Sequence, residues 1–100
     1  MANQFAALAE PMRARIVETL AVRSMAVGEL AALLPVTRPA VSQHLKVLKE
    51  AKLVRDEARG TRRIYSIDPA GLGAIRSWLD RFWDQSLAAY AAAAEKEDKK

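Results

Sequence analysis

Residues 37–67 constrain the fold of this chain most, because an amphipathic helix pattern there runs directly into a basic strand pattern. From Arg38 through Arg63 there are eight Lys or Arg residues and three Asp or Glu residues, a local charge of +5, whereas the formal charge of the whole chain is +4. The positive charge is therefore concentrated in one region. A polar helix face followed by an arginine-rich hairpin suits the major groove of duplex DNA and the phosphates beside it.

The helix of this region is predicted to begin after Thr37, a good N-cap, and to end near Ala51. Its spacing places Val41, Leu45 and Leu48 together on one side and polar residues on the other. The predicted DNA contacts of this helix are Thr37, Arg38, Ser42, Gln43, Lys46 and Lys49. The Ser and Gln side chains can hydrogen-bond base edges, the Arg can bind a guanine or a phosphate, and the Lys residues favour phosphates. Because any exposed helix face has a similar composition, the helix alone leaves a purely structural interpretation open.

A β-hairpin is predicted directly after this helix. Leu53 and Val54 begin the first strand, Arg59-Gly60-Thr61 forms the tip, and residues 64–67 return as the second strand. Three arginines around the tip are predicted to bind the DNA backbone: Arg59, Arg62 and Arg63. The alternative is a solvated charged hairpin. Strand alternation places the last two arginines on opposite sides, which leaves a structural role open for one of them.

The remaining segments complete the pattern of a winged helix-turn-helix. Further helices are predicted over residues 3–9, from Pro11 onward, over residues 27–34, and from Pro69 to about Ala94. A short turn at Pro35-Val36 separates the third and fourth helices, as in a helix-turn-helix. The predicted fold is mainly α with a small β-hairpin, in the order of four helices, two strands and a fifth helix. It forms one domain, residues 1–94, followed by a charged tail, residues 95–100.

Composition argues against catalysis and against a metal site. The chain has no cysteine, which removes disulfides, thiolate ligands and thiol redox sensing. His44 is the only histidine, and the sequence contains no glycine-rich phosphate loop. We therefore predict no enzyme activity, no cofactor and no metal. We expect His44 to be packed against the protein or to lie beside a DNA phosphate.

The sequence also bears on location and on the class of partner. No apolar run is long enough to cross a bilayer, and the first residues lack the basic leader and apolar segment of a secretory signal. The expected location is the cytoplasm, without membrane contact. A basic chain favours polyanions, either nucleic acid or an anionic membrane surface, and the arrangement of the charges favours DNA.

The last predicted helix is apolar over more than one face, which requires cover on more than one side. In a chain this small a partner subunit is the expected cover, although a small-molecule pocket or ordinary core packing would use the same residue types. The predicted homodimer contacts are Phe5 and Leu8 of the first helix and Leu72, Ile75, Trp78, Leu79, Phe82, Trp83 and Tyr90 of the last. Asp80 is expected to pair with Arg76, four residues earlier, rather than to bind a metal.

Five segments together resemble the ArsR family of bacterial repressors. They are residues 5–17, 27–31, PAVSQHLKVL at 39–48, RGTRRIY at 59–65 and the aromatic stretch 78–83, so the similarity covers nearly the whole chain. The resemblance implies a homodimeric winged helix whose first and last helices form the dimer interface. It further implies a repressor that binds a palindromic operator, blocks transcription and regulates its own promoter.

The chain departs from the sensing members of that family. Metal-sensing members carry Cys pairs at the third helix or Asp and His sets on the last helix, and redox-sensing members carry Cys pairs. This chain has no cysteine, and its one histidine lies in the fourth helix. It therefore resembles the branch without a metal or thiol sensor, and the identity of any small-molecule inducer stays open. The alternative function is a winged-helix module that binds a protein, because the fold alone does not guarantee DNA binding.

Overall fold

The computed structural model describes residues 2–98, within which the chain forms five helices and three strands. In chain order they are α1 (Ala2–Leu8), α2 (Pro11–Val22), β1 (Met25–Ala26), α3 (Val27–Leu33), α4 (Arg38–Glu50), β2 (Val54–Arg59), β3 (Arg62–Ile67) and α5 (Pro69–Asp98). The architecture is the mainly α winged helix-turn-helix that the sequence predicts. No helix in this described part is both long and apolar enough to span a membrane.

Local hydrogen bonds set the starts of the two helices of the helix-turn-helix. The Thr37 hydroxyl accepts a hydrogen bond from the Ala40 N–H at 3.3 Å, which confirms Thr37 as the N-cap of α4. Ala26, at the start of α3, has no capping side chain, and the Glu29 carboxylate accepts from its N–H at 3.1 Å instead. Each start therefore uses a side-chain acceptor three residues from the backbone donor.

The hairpin belongs to a three-stranded antiparallel sheet in the order β1-β3-β2, so the prediction of two strands is incomplete. Met25 pairs with Tyr65 and Ala26 pairs with Ile64, which attaches the hairpin of β2 and β3, here called the wing, to the residues just before α3. β2 and β3 pair along their whole length and turn at Gly60, whose φ of +62° lies in the left-handed region. The sequence analysis missed β1 because a strand of two residues has too little alternation to be detected.

The core lies where α2, α3 and α4 meet the base of the sheet. Its most deeply buried large side chains are Ile16, Leu30, Val41, Leu45, Leu48, Leu53 and Val54. Three of these, Val41, Leu45 and Leu48, are the predicted apolar side of α4, and each is at most 1% exposed. Burial of such a side chain contributes about 1.5–3 kcal/mol relative to exposure. The polar side of α4 must therefore face outward.

α1 joins the end of α4 to the start of α5. The buried Gln4 side chain donates from Nε2 to the carbonyl oxygen of Ala51, the C-cap residue of α4, at 2.7 Å. Phe5, the next residue, meets Trp78 of α5 edge to face, with ring centroids 5.2 Å apart. One short helix thus contacts both α4 and the long C-terminal helix α5.

The ends of three helices differ from the prediction. α1 ends at Leu8 and α3 ends at Leu33, each one residue earlier than predicted, and α5 continues through Asp98 instead of ending near Ala94. The start of the predicted charged tail is therefore helical, because the alanine run before it and the Glu and Lys residues within it are strong helix formers. The tail residues Lys99 and Lys100 lie outside the described residues. Within α5, Nε of Arg76 and Oδ2 of Asp80 are 4.0 Å apart, the expected ion pair.

The first turn of α5 packs directly on the loop that follows α4. Lys52 has a left-handed backbone, with φ of +64°, and its carbonyl oxygen accepts from the Gly71 N–H at 2.8 Å. A methyl group on Gly71 would overlap the Lys52 carbonyl and lie 3.0 Å from the carbonyl oxygen of Ala51. Glycine at this position lets α5 begin beside the end of α4.

We predict that Gly71→Ala lowers the free energy of unfolding by about 1–3 kcal/mol, because the methyl group must displace backbone atoms. Gly73→Ala in the same helix is the matched control, since a Cβ there has no neighbour within 4 Å. The control should be neutral or stabilise the protein by up to about 1 kcal/mol. Urea titration of both variants measures the difference, and equal stability would contradict the close approach at Gly71.

Candidate nucleic-acid interface

The residues predicted to contact DNA are all open to solvent. The exposed set is Thr37, Arg38, Ser42, Gln43, Lys46, Lys49, Arg59, Arg62 and Arg63. Six of them lie on α4 or at its N-cap, opposite the side that is buried in the core. The buried side holds the helix in a fixed position, and its polar side chains project outward from it. Hydrogen bonds to base edges require this, because they depend on distance and angle.

A groove of about 750 Å³ lies between the starts of α3 and α4 and the wing strand β3. Arg38, Ser42, Arg62 and Arg63 line it, so the fold brings together predicted contacts from two separate elements. The Arg38 guanidinium lies over Gly28, where any Cβ would overlap it. Three guanidinium groups on one concave surface suit a phosphate backbone. The predicted contacts outside this lining are Thr37, Gln43, Lys46, Lys49 and Arg59.

A buried carboxylate connects the end of α4 to the wing. Asp56 on β2 pairs with Nζ of Lys49 at 2.8 Å and with Nη1 of Arg63 at 2.7 Å. The Asp56 side chain is only 5% exposed. The Lys49 ammonium and, after it, the Arg63 guanidinium hold the pKa of this carboxyl below its usual 3.8. Two predicted DNA contacts are thus structural partners of one buried acid in the free protein.

A second carboxylate, Glu29 in the first turn of α3, holds two arginines. Its Oε2 accepts from Nη1 of Arg23 at 2.9 Å, and its Oε1 accepts from Nη2 of Arg62 at 2.6 Å. The same Oε1 accepts from the Ala26 N–H. The bonds from Arg23, Ala26 and Arg62, in that order of effect, lower the pKa of Glu29 from 4.5 to about 2. Glu29 is therefore a fixed negative charge at neutral pH.

The ion pair at the tip of the wing is more exposed to solvent than the other two. Nη2 of Arg59 lies 2.7 Å from Oε1 of Glu57, and the two side chains are 68% and 60% exposed. Pairs this exposed contribute little to stability, because water and salt screen them. Arg59 can therefore exchange this carboxylate for another anion at small cost.

His44 is packed against the start of α2. Its Nδ1 lies 3.8 Å from Oε2 of Glu10, and its side chain is 22% exposed. Glu10 is the N-cap of α2 and accepts from the Arg13 N–H at 2.8 Å, which is the main reason that its carboxyl pKa is lowered. This matches the packed alternative expected for the histidine.

A second exposed surface, the aromatic face, runs along α5 and includes one residue of α1. It consists of Phe5, Trp78, Leu79, Phe82, Trp83, Leu87 and Tyr90. The rings of Trp78 and Phe82 stack with centroids 5.5 Å apart. The exposed fractions of these side chains range from 38% for Trp78 to 74% for Tyr90. A large contiguous apolar surface on a small domain marks a place that another molecule covers.

The predicted dimer contacts divide into two groups. Phe5, Trp78, Leu79, Phe82, Trp83 and Tyr90 belong to the aromatic face. Leu8, Leu72 and Ile75 are partly buried and pack against the core of the same protomer. Core packing, the competing interpretation, therefore explains why these three residues are partly buried. It does not explain the aromatic face, which stays exposed in the single protomer.

Sequence reasoning missed Glu29 and Asp56, although both bind predicted DNA contacts. A signal existed for Glu29, since an acidic residue three positions after an uncapped helix start is half of a capping box. The sequence signal for Asp56 is weaker. Register places it diagonally opposite Arg63 on the same face of the hairpin, but its burial depends on how α4 packs on β2.

Comparison with known proteins finds bacterial transcriptional regulators that are similar to this chain. The family model described as bacterial regulatory protein, arsR family, matches residues 10–56. The chain is 59% identical over 91 residues to the HTH-type transcriptional regulator Rv2034 of Mycobacterium tuberculosis, covering 91% of this chain and 85% of that protein. It is 30% identical over 82 residues to the transcriptional repressor SdpR of Bacillus subtilis, covering 82% and 91% respectively.

A solved structure is similar over most of its length. It is the solution structure of the homodimeric winged helix-turn-helix DNA-binding domain of Mb0332 from Mycobacterium bovis, a possible ArsR-family transcriptional regulator. The TM-score is 0.69 with 28% identity, over 86% of this chain and 80% of that one. The likeness therefore covers most of both chains.

We predict that Asp56→Asn destabilises the protein by about 1–3 kcal/mol at pH 7, because it removes the buried charge that two cations share. A carboxyl whose pKa is lowered by folding stabilises the folded state above its unfolded pKa. That contribution is lost as the pH falls through the folded value. The difference in unfolding free energy between the unaltered protein and the variant should therefore shrink below about pH 4. Urea titrations at pH 7 and pH 3 measure it.

The matched control is Glu57→Gln, the next residue on β2, whose side chain is 60% exposed. Its unfolding free energy should stay within about 0.5 kcal/mol of the unaltered protein at both pH values. If the two variants were equally destabilised, Asp56 would not be the buried link between α4 and the wing.

Proposed function

Because the chain belongs to the ArsR family of bacterial regulatory proteins, it is a DNA-binding transcriptional regulator, and we propose that it represses transcription by occupying a palindromic operator as a homodimer. The observation that carries the proposal is the groove between α3, α4 and β3. There a helix fixed by its buried side meets the arginines of the wing. Repression follows from occupation of the promoter in the cytoplasm and needs no chemical reaction.

In this proposal α4 lies in the major groove, whose width admits an α-helix. Ser42 and Gln43 bind base edges, and Arg38 binds either a guanine or a phosphate. The Thr37 hydroxyl accepts from the Ala40 N–H, which leaves its own proton free for a phosphate oxygen. The remaining proposed contacts, which bind the phosphate backbone of the DNA, are Lys46, Lys49, Arg59, Arg62 and Arg63.

The homodimer places two copies of α4 on one duplex. The aromatic face of α1 and α5 supports this assembly, because two copies can cover the same surface of each other in a two-fold contact. The homodimeric state of the Mb0332 domain supports it as well. Two α4 helices related in this way would contact half-sites about one helical turn apart.

The proposal includes no cofactor and no metal. The sequence has no cysteine to supply thiolate ligands, and the single histidine is packed against Glu10. An inducer of this protein would accordingly be neither a thiolate-bound metal nor a thiol oxidant.

Fluorescence anisotropy tests the proposal, with a duplex from the protein's own upstream region and a scrambled duplex of equal length at two salt concentrations. We expect tighter binding to the upstream duplex, two subunits per site, and affinity that falls with salt. Equal binding to both duplexes, or no binding, would contradict the proposal. It would favour the winged-helix module that binds a protein.

Two variants of α4 separate base reading from backbone binding in the same assay. Gln43→Ala should weaken binding to the upstream duplex by about 1–3 kcal/mol and leave the scrambled duplex unchanged, because it removes a base-edge contact. Lys46→Gln should weaken binding to both duplexes by a similar factor and make the salt slope shallower by about one. Gln43 would lose its assigned role if its replacement left both affinity and base preference intact.

A further inference from the structure

Glu29 occupies a position from which it can compete with DNA for a wing arginine. It lines the same groove as Arg38 and Arg62, and its Oε1 lies 2.6 Å from Nη2 of Arg62. Carboxylates and phosphates bind guanidinium groups through the same fork of N–H donors. The Arg62 donor that faces Glu29 is therefore not available to a DNA phosphate until the pair opens.

The contacts around Glu29 make this pair exchangeable. The side chains of Glu29 and Arg62 are 33% and 57% exposed, and an ion pair this exposed is worth a factor of about five at most. When Arg62 leaves, Glu29 keeps Nη1 of Arg23 at 2.9 Å and the Ala26 N–H at 3.1 Å. The exchange therefore does not leave an unpaired carboxylate in the groove.

Four other cations of the candidate interface lack this arrangement. Lys49 and Arg63 share Asp56, whose side chain is 5% exposed, and a buried acid that loses its partners is strongly disfavoured. Arg38 and Lys46 have no carboxylate within 4.0 Å in the part of the chain that the structure describes. Within the groove, Arg62 is thus the cation with an exposed and replaceable partner.

We propose that Glu29 is an internal counter-ion of the DNA interface, which holds Arg62 in the free protein and is exchanged for a DNA phosphate on binding. The inference rests on the proposed DNA-binding function and adds a residue that opposes it. Because DNA must first separate this pair, the affinity for any duplex is lower than it would be without the charge of Glu29. Because electrostatic contacts supply most sequence-independent binding, Glu29 limits the attraction of the groove for arbitrary polyanions.

A double-mutant cycle of Glu29→Gln and Arg62→Gln tests the exchange, with affinity for the upstream and scrambled duplexes as the readout. Glutamine keeps an oxygen that can accept from the Ala26 N–H but removes the charge. We expect Glu29→Gln to tighten binding to both duplexes about two- to fivefold. Arg62→Gln should cost about two- to fivefold more affinity in the Glu29→Gln background than in the unaltered protein.

Glu57→Gln is the matched control, because it removes one negative charge from the wing without touching Arg62. Arg62→Gln should cost the same affinity with or without this control substitution. The inference would be wrong if Glu29→Gln also left the cost of Arg62→Gln unchanged. It would be wrong as well if Glu29→Gln and Glu57→Gln changed that cost equally. If the unaltered protein bound no duplex, the proposed function would fail and the inference with it.

A second comparison leaves Glu29 in place, which matters because Glu29 also caps α3 and its replacement could weaken folding. Lys46 has no carboxylate partner to displace within the described residues, whereas Arg62 must give one up. Lys46→Gln should therefore cost about two- to fivefold more affinity than Arg62→Gln. An equal or larger cost for Arg62→Gln would overturn the exchange.

Discussion

The apolar side of α4 packs into the core with Val41, Leu45 and Leu48 each at most 1% exposed, and this contact decides where the rest of the helix points. A rotation of α4 by one residue, about 100°, would bury Ser42 and expose Leu45. The loss of apolar burial together with an unpaired buried hydroxyl would cost several kcal/mol. The direction of Gln43 and Lys46 is therefore a consequence of core packing. The proposed base reading by α4 therefore depends on a contact that lies in the protein core.

The burial of their carboxylate partners divides the cations of the candidate interface into two groups. In the sequence they form one basic region. Lys49 and Arg63 neutralise a buried aspartate, so they join α4 to the wing before any DNA arrives. Arg62 and Arg59 are paired with more exposed carboxylates, from which they can be released. The local charge of +5 already subtracts Asp56 and Glu57, but it omits Glu29, whose pair with Arg62 offsets one further positive charge.

How far the sequence predicts this structure depends on how local each interaction is. The start of α4 follows from Thr37 and the wing from strand alternation and Gly60, because those signals lie within a few residues. The short strand β1 forms only because β3 lies beside it, and the length of α5 reflects helix propensity without any stop signal. Glu29 and Asp56 escaped prediction as interface residues because tertiary packing brings their cations to them.

In the proposed homodimer, the aromatic face would join two copies of the domain. α1 contacts α4 through Gln4 and α5 through Phe5, so a partner docked on this face would set the distance between the two α4 helices. The most direct measurement is the affinity for a footprinted operator and for the same operator with about five base pairs, half a helical turn, inserted between its half-sites. A rigid homodimer predicts a large loss of affinity on insertion, recovered in part by about ten base pairs. Affinity that does not depend on this spacing would contradict the two-fold arrangement of the α4 helices.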